Sequence, residues 1–290
     1  SATAPAAPAR VVARRPALPR TLTSFVGRER EVAAIGELLA DPAGPALVTL
    51  TGVGGVGKTR LALAVAGGLT SGPVYPDGVT TVELAAITDP ALLPQTLANA
   101  LGTGEDAGRP SDETLIAALA GKTALLVLDN CEHLVGELAA VAGALLAAAE
   151  SLSILATSRT PLGLPDEDLF DLRPLSADAA RQLFFGRAHA RDPAFTRRER
   201  DEPVVAEICR RLDGLPLAIE LAAARLRVLT PRALLARLDR RLAILDHGPR
   251  DLPDRHRSLR ATIDWRYGLL RPGDRARFAH LAAFAAVWTL

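Results

Sequence analysis

Between residue 46 and about residue 172, short runs rich in strand-forming residues alternate with longer stretches of helical periodicity. That alternation predicts a parallel sheet covered by helices. The runs predict strands over 46–51, 79–84, 124–129, 153–157 and 168–172, and the intervening patterns predict helices over 58–69, 90–101, 111–120 and 134–150, with one more over 28–40. After Pro174 the pattern is helical only, with Ser176 placed to cap the first helix, and segments over 177–191, 200–212, 215–229 and 231–242. A stretch rich in Pro, Asp, His and Arg, 247–256, precedes a last helix over 258–270 and a turn over 271–274. The resulting division is a Pro/Ala/Arg linker over 1–22, an α/β domain over 23–174, a helical domain over 175–245, and a third unit over 246–290 that reads as truncated.

Composition narrows the classes. Hydrophobic residues make up 49% of 290, enough for two cores, and 34 basic against 33 acidic residues leave a formal charge of +1. No broad phosphate-binding surface follows from that balance, so direct nucleic-acid binding is not expected of this segment. The apolar run 138–149 is too short to cross a bilayer, and residues 1–20 hold no apolar stretch of signal length. Cys131 and Cys209 have no metal or disulfide spacing and read as reduced thiols of a cytoplasmic protein. The first residue is a serine, which reads as the start of an excised piece of a longer protein.

The strongest local signal is Gly52-Val53-Gly54-Gly55-Val56-Gly57-Lys58-Thr59, which fits G-x-x-x-x-G-K-[ST] between a predicted strand and a predicted helix. Glycines let the backbone turn so that successive N–H groups face a phosphate, and the helix start, with Arg60 next in the chain, adds positive potential. In this pattern Lys58 bridges β- and γ-phosphates and the Thr59 hydroxyl binds Mg²⁺. The chain supplies a control, because it contains 32 arginines and two lysines, Lys58 and Lys122. A compact ammonium fits inside a phosphate-wrapped loop where a planar guanidinium does not. Lys122 also lies in a Gly-Lys-Thr, but Ile116 stands where the first glycine belongs and a strand follows, so that copy is a decoy.

The run 124–129 is apolar until Asp129, as expected of a buried central strand that delivers a carboxylate to its C-terminal edge. Asp129 is the natural Mg²⁺ partner, through water, of Thr59. Many hydrolytic P-loop enzymes place a second carboxylate at the next position, where this chain has Asn130. Either hydrolysis is slow or Glu132 supplies the base; against the second stands the reading of Glu132 as an acid at a helix start. Arg159 follows the strand 153–157 at the same sheet edge, and is a candidate for the γ-phosphate or simply a surface arginine.

With these elements in place the chain resembles the STAND class of P-loop ATPases, specifically the NB-ARC-like modules of large actinobacterial SARP-type transcriptional regulators. The resemblance rests also on Ser24-Phe25-Val26-Gly27-Arg28-Glu29, Leu128-Asp129-Asn130-Cys131-Glu132-His133-Leu134, Gly214-Leu215-Pro216-Leu217-Ala218 and Ser258-Leu259-Arg260-Ala261-Thr262-Ile263-Asp264-Trp265, and covers about 23–290. It implies adenine contacts from Val26 and Arg28, a nucleotide contact from Pro216, and a partial winged-helix domain over 246–290. It implies ATP/ADP and Mg²⁺ as ligands, a DNA-binding domain upstream and sensor repeats downstream in the parent protein, homo-oligomerisation in the ATP state, and no membrane partner. The family's later histidine, which senses the β-phosphate, would lie beyond Leu290. The function expected is a slow, ATP/ADP-controlled switch. Two other readings stand beside it: an AAA+ type remodeller or loader, against which Asn130 and the Gly-Leu-Pro-Leu element argue, and a small-molecule kinase, for which no acceptor residues are evident.

Overall fold

The computed structural model describes residues 25–70, 72–103, 111–193 and 195–238. The linker over 1–22, Ser24, the helix continuation over 239–242 and the third unit over 246–290 lie outside them. The described chain divides into two compact units, one of residues 30–52 and 58–171, the other of residues 25–29, 53–57 and 172 onward.

The first unit holds a five-stranded, wholly parallel sheet. Its strands are β1 (Leu47–Thr51), β2 (Gly78–Glu83), β3 (Ala124–Asp129), β4 (Leu152–Thr157) and β5 (Glu167–Asp171), in the order β2-β3-β4-β1-β5. All five coincide with the strands predicted from the sequence to within a residue. β3 and β4 are nearly continuous apolar runs because helices cover the sheet on both faces. On one face Val82, Leu84, Leu126, Leu128, Ile154 and Ala156 pack against α3 (Leu93–Ala100), α4 (Ser111–Leu119) and α5 (Val135–Ala148). The alternate strand residues Val48, Leu50, Leu125, Val127 and Leu155, also buried, point to the other face. There α2 (Lys58–Thr70) runs across β1 to β4 with Leu61, Ala62, Val65 and Ala66 buried. Tyr75, itself buried, donates its hydroxyl to Leu39 O at 2.6 Å and so anchors α1 (Glu29–Ala40).

The second unit is helical: α6 (Ala177–Arg191), α7 (Glu202–Arg211), α8 (Pro216–Ala223) and α9 (Pro231–Leu238) enclose a core that includes Phe184, Val205, Ile208, Ile219, Ala222 and Leu234. Ser176 caps α6 by accepting from Ala179 N at 3.3 Å, as its position in the sequence predicts.

The structure revises several helix bounds. The segment 90–101 is not one helix: Asp89 caps a single 3-10 turn, Pro90–Leu92, and α3 starts afresh at Leu93. Pro94 has no N–H with which to continue a helix from residue 90. The segment 215–229 ends as α-helix at Ala223 and continues as a 3-10 turn, Ala224–Arg227.

Between α7 and α8 the chain makes a two-bond C-terminal cap. Gly214 N donates to Cys209 O at 3.1 Å and Asp213 N donates to Arg210 O at 3.0 Å, with φ +53° at Asp213 and +64° at Gly214. A Cβ on Gly214 would lie 2.7 Å from Leu175 O. Gly214→Ala is therefore expected to lower stability by about 2–5 kcal/mol, adding left-handed strain to overpacking against a carbonyl. Urea unfolding checks it; a loss below about 1 kcal/mol, the average for any point mutation, would contradict this account.

Candidate functional site

In the first unit, the C-terminal edges of β1, β4 and β3 bring together residues far apart in sequence. β4 lies between the other two, paired Leu50↔Thr157 on one side and Leu128↔Ala156 on the other. One step past the second pair, Thr157 Oγ1 donates to Asp129 Oδ1 at 2.6 Å. Thr59, in the first turn of α2, donates its hydroxyl to the same oxygen at 2.7 Å. Burial pushes the Asp129 carboxyl above the usual carboxylate range; the Thr157 and Thr59 hydroxyls oppose that, and the charges of Glu83 and Glu132 add to it. Lys58 donates from Nζ to Gly52 O at 2.7 Å, across the loop it follows.

Asn130 leaves β3 in the left-handed region, φ +68°, a conformation that Asn tolerates better than most side chains. Its N–H donates to Thr157 Oγ1 at 2.9 Å, while its side-chain Nδ2 is buried with no hydrogen-bond partner. Glu132 and Arg159 are joined: Arg159 Nε donates to Glu132 Oε1 at 3.0 Å, and Arg159 Nη2 is buried without a partner. A water activated by Glu132 at that oxygen would compete with this charged hydrogen bond. Cys131 is fully buried, and burial followed by the Asp129 charge pushes its thiol well above the ordinary range, which leaves it unreactive. Arg60 is half-buried on α2. Among the described residues no cluster of three or more His, Cys, Asp or Glu could hold a metal ion. No described helix is long and apolar enough to cross a membrane.

The loop residues 53–57 and the Val26–Arg28 segment belong to the second unit. Gly55 and Gly57 take φ +79° and +103°, and Gly52 takes +137°, conformations that favour glycine; Gly54 needs no such freedom. Val56 is buried, and Val26 half-buried. Arg28 is 6% exposed; its Nη2 donates to Arg173 O and approaches Val56 O at 3.5 Å. Its guanidinium thus holds backbone carbonyls of its own unit. Gly55 O accepts from Leu217 N at 3.2 Å, and a Cβ on Gly55 would lie 3.2 Å from Leu217 Cβ. Pro216, half-buried, opens α8 next to it in the chain, with its Cγ 4.0 Å from where a Cβ on Gly57 would stand. Sequence reasoning did not single out Thr157 as a site residue or Leu217 as a loop contact; no local spacing signals either contact, since each joins segments distant in the chain.

Five parallel strands in this order, a glycine-rich loop from β1 into α2, and a Thr–Asp pair at the sheet edge define a P-loop ATPase fold. No protein-family model matches the chain. A protein of Mycobacterium tuberculosis (strain ATCC 25618 / H37Rv) named as an HTH-type transcriptional regulator, Rv0890c, is 42% identical over 245 residues, covering 84% of this chain and 27% of that protein. The uncharacterized protein Rv0894 of the same strain is 39% identical over 272 residues, covering 93% of this chain and 68% of that protein. The regulatory protein AfsR of Streptomyces griseus is 34% identical over 278 residues, covering 90% and 27%. Among solved structures, a Signal Transduction ATPase with Numerous Domains (STAND) protein with a tetratricopeptide repeat sensor, PH0952 from Pyrococcus horikoshii, superposes with a TM-score of 0.51 at 16% identity over 92% of this chain and 36% of that one. Drosophila ORC bound to DNA superposes with a TM-score of 0.55 at 16% identity, covering 90% and 82%. The chain belongs to one family with these mycobacterial and Streptomyces proteins, and shares its fold with the P-loop ATPases among the solved structures. It spans about 27% of the length of the regulators it matches.

Proposed function

We propose that the chain is an ATP/ADP-binding switch module, with at most weak ATPase activity, that controls a transcriptional regulator through nucleotide-dependent domain rearrangement or oligomerisation. The observation that carries this reading is the convergence of the Thr59 hydroxyl and the Asp129 carboxylate at 2.7 Å, directly after a loop whose lysine is folded back on its own first carbonyl. A hydroxyl and a carboxylate are the hard oxygen donors that Mg²⁺ takes together with phosphates and waters. When bound, Mg²⁺ neutralises charge on the β- and γ-phosphates. In this reading Lys58 would hold the β- and γ-phosphates in place of Gly52 O, the glycines Gly52, Gly54, Gly55 and Gly57 with Val56 would offer backbone N–H groups, and Thr59 with Asp129 would hold the metal. Arg60 adds positive charge at the start of α2. Val26, Arg28 and Pro216 are proposed base and nucleotide contacts on the strength of the family resemblance. Since the Arg28 guanidinium already serves two carbonyls, its contribution is assigned to holding the loop segment and to its backbone.

Arg159 is proposed to engage the γ-phosphate through Nη2. A charged hydrogen bond is worth roughly 1.5–3 kcal/mol, whereas moving a population from 1:99 to 99:1 takes about 5.5 kcal/mol of differential binding. Arg159 alone therefore does not throw the switch; several contacts change together. The proposed organisation is a nucleotide-binding domain over 23–174, a helical domain over 175–245 and a partial winged-helix domain over 246–290. ADP favours their association and ATP loosens it, within a cytoplasmic parent protein that carries a DNA-binding domain upstream and sensor repeats downstream.

Arg159→Ala is expected to weaken ATP binding roughly 10- to 100-fold while leaving ADP binding unchanged, as read by calorimetric titration of the isolated chain with each nucleotide and Mg²⁺. Equal losses for both nucleotides would remove the γ-phosphate role. Sustained hydrolysis by the wild type near the enzyme median of about 10 s⁻¹ would favour the AAA+ type remodeller, a reading that the likeness to the ORC fold leaves open and Asn130 opposes.

A further inference from the structure

We propose that Thr157 is the positioning residue of the Mg²⁺ site, setting how strongly the metal strengthens nucleotide binding; the inference rests on the nucleotide reading above. Its hydroxyl is bonded on both sides, donating to Asp129 Oδ1 at 2.6 Å and accepting from Asn130 N at 2.9 Å. One group thereby fixes both the orientation of the carboxylate and the left-handed turn by which the chain leaves β3. Thr157 is 1% exposed at the end of β4, and a β-branched side chain there has restricted χ1, so the direction of its hydroxyl is set by the strand. Burial alone does not create such a bond: Thr49, equally buried on the adjacent β1, has a hydroxyl with no partner.

Thr59 and Thr157 play different parts although both donate to Oδ1. Thr59 sits at the start of α2, half-buried, and in the proposed function its oxygen turns to the metal. Thr157 has no such second task, and it is the bond that keeps the Asp129 carboxylate oriented when Thr59 is withdrawn. Partners of this kind, which orient a ligand without touching the metal, typically contribute 10- to 100-fold to metal affinity.

The test compares ADP binding in excess MgCl₂ with ADP binding in EDTA for the wild-type chain, Thr157→Val and Thr157→Ser, alongside the melting temperature of each without nucleotide. Thr157→Val keeps the shape and removes the hydroxyl. It is expected to lose roughly 10- to 100-fold of the Mg²⁺-dependent gain with Mg²⁺-free binding unchanged, and Thr157→Ser is expected to regain most of it. A purely structural role would instead lower melting temperature and weaken both binding modes alike, and that result overturns the inference, as does a full Mg²⁺ gain in Thr157→Val. If Thr157→Val does not fold, Thr157→Cys, of similar size with a weak S–H donor, replaces it with the same direction of loss expected. A wild-type chain that binds ADP equally with and without Mg²⁺ would sink the Mg²⁺ reading itself, a failure distinguishable from one confined to Thr157.

Discussion

Lys58→Ala is expected to abolish the thermal stabilisation that ATP confers on the wild-type chain, and to reduce that conferred by ADP, which offers the lysine one of the two phosphates. A ligand at 100 times its dissociation constant stabilises the folded state by about 2.7 kcal/mol, and a protein of 150–250 residues shifts by roughly 2–4 °C per kcal/mol, so the wild-type shift should be about 5–11 °C. Lys58 makes charge-assisted contacts to two phosphates in the proposed site, each worth roughly 1.5–3 kcal/mol. Losing both weakens binding by about 100-fold or more. At the same nucleotide concentration the remaining stabilisation is then about 0.4 kcal/mol, a shift of roughly 1 °C. In the free protein the side chain has a partner already, Gly52 O at 2.7 Å, so the mutant also loses one hydrogen bond of its own fold. That loss lowers the starting melting temperature but leaves the nucleotide-induced difference as the readout. Differential scanning fluorimetry over a nucleotide series measures it, and a Lys58→Ala shift equal to the wild type's would remove Lys58 from the site.

The architecture was legible in the sequence because its strands are short runs of strand-forming residues separated by long helical periods. The central β1, β3 and β4 are largely apolar because both faces of the sheet are covered there, and the edge strands β2 and β5 are more polar. Asp129 stood out for the same reason, as the acid that ends an otherwise buried run. What the sequence left unread is the set of contacts that cross between strands. Thr157 and Asp129 are 28 residues apart, and only the β3–β4 register places one hydroxyl between the carboxylate and the next N–H. Asn130, read from the sequence as a missing second carboxylate, also occupies a left-handed turn, so backbone geometry gives an independent reason for an amide there. Glu132 and Arg159, considered separately as a base and as a phosphate sensor, form an ion pair with each other. The bond occupies Arg159 Nε and Glu132 Oε1 and leaves Arg159 Nη2 without a partner, which couples two roles that sequence treated as independent. The helix breaks at Pro94 and after Ala223 were missed because apolar periodicity continues through them while the backbone hydrogen bonding does not.

Asp129→Asn is expected to act in opposite directions on binding and on stability. The amide keeps an oxygen that both Thr59 and Thr157 can donate to, but a neutral amide is a much poorer partner for a hard divalent cation than a carboxylate. The variant should therefore lose most of the Mg²⁺-dependent gain in nucleotide affinity, by roughly 10- to 100-fold, while nucleotide binding in EDTA changes little. Without nucleotide or Mg²⁺ it should melt above the wild type at neutral pH. Burial holds the Asp129 carboxyl above its ordinary range, so its charged form costs stability in the metal-free fold, and two hydroxyl hydrogen bonds only partly offset that cost. A group whose folded value is raised contributes most below its unfolded value, and that contribution is lost as pH rises through the folded value. The amide does not titrate. The stability gap between variant and wild type should consequently be small in acid and open as pH climbs past the usual carboxylate range to neutrality. Thermal unfolding in EDTA across that range checks the sign. A variant less stable than wild type at neutral pH would show that the hydroxyl bonds outweigh desolvation, and an intact Mg²⁺ gain would remove Asp129 from the metal site.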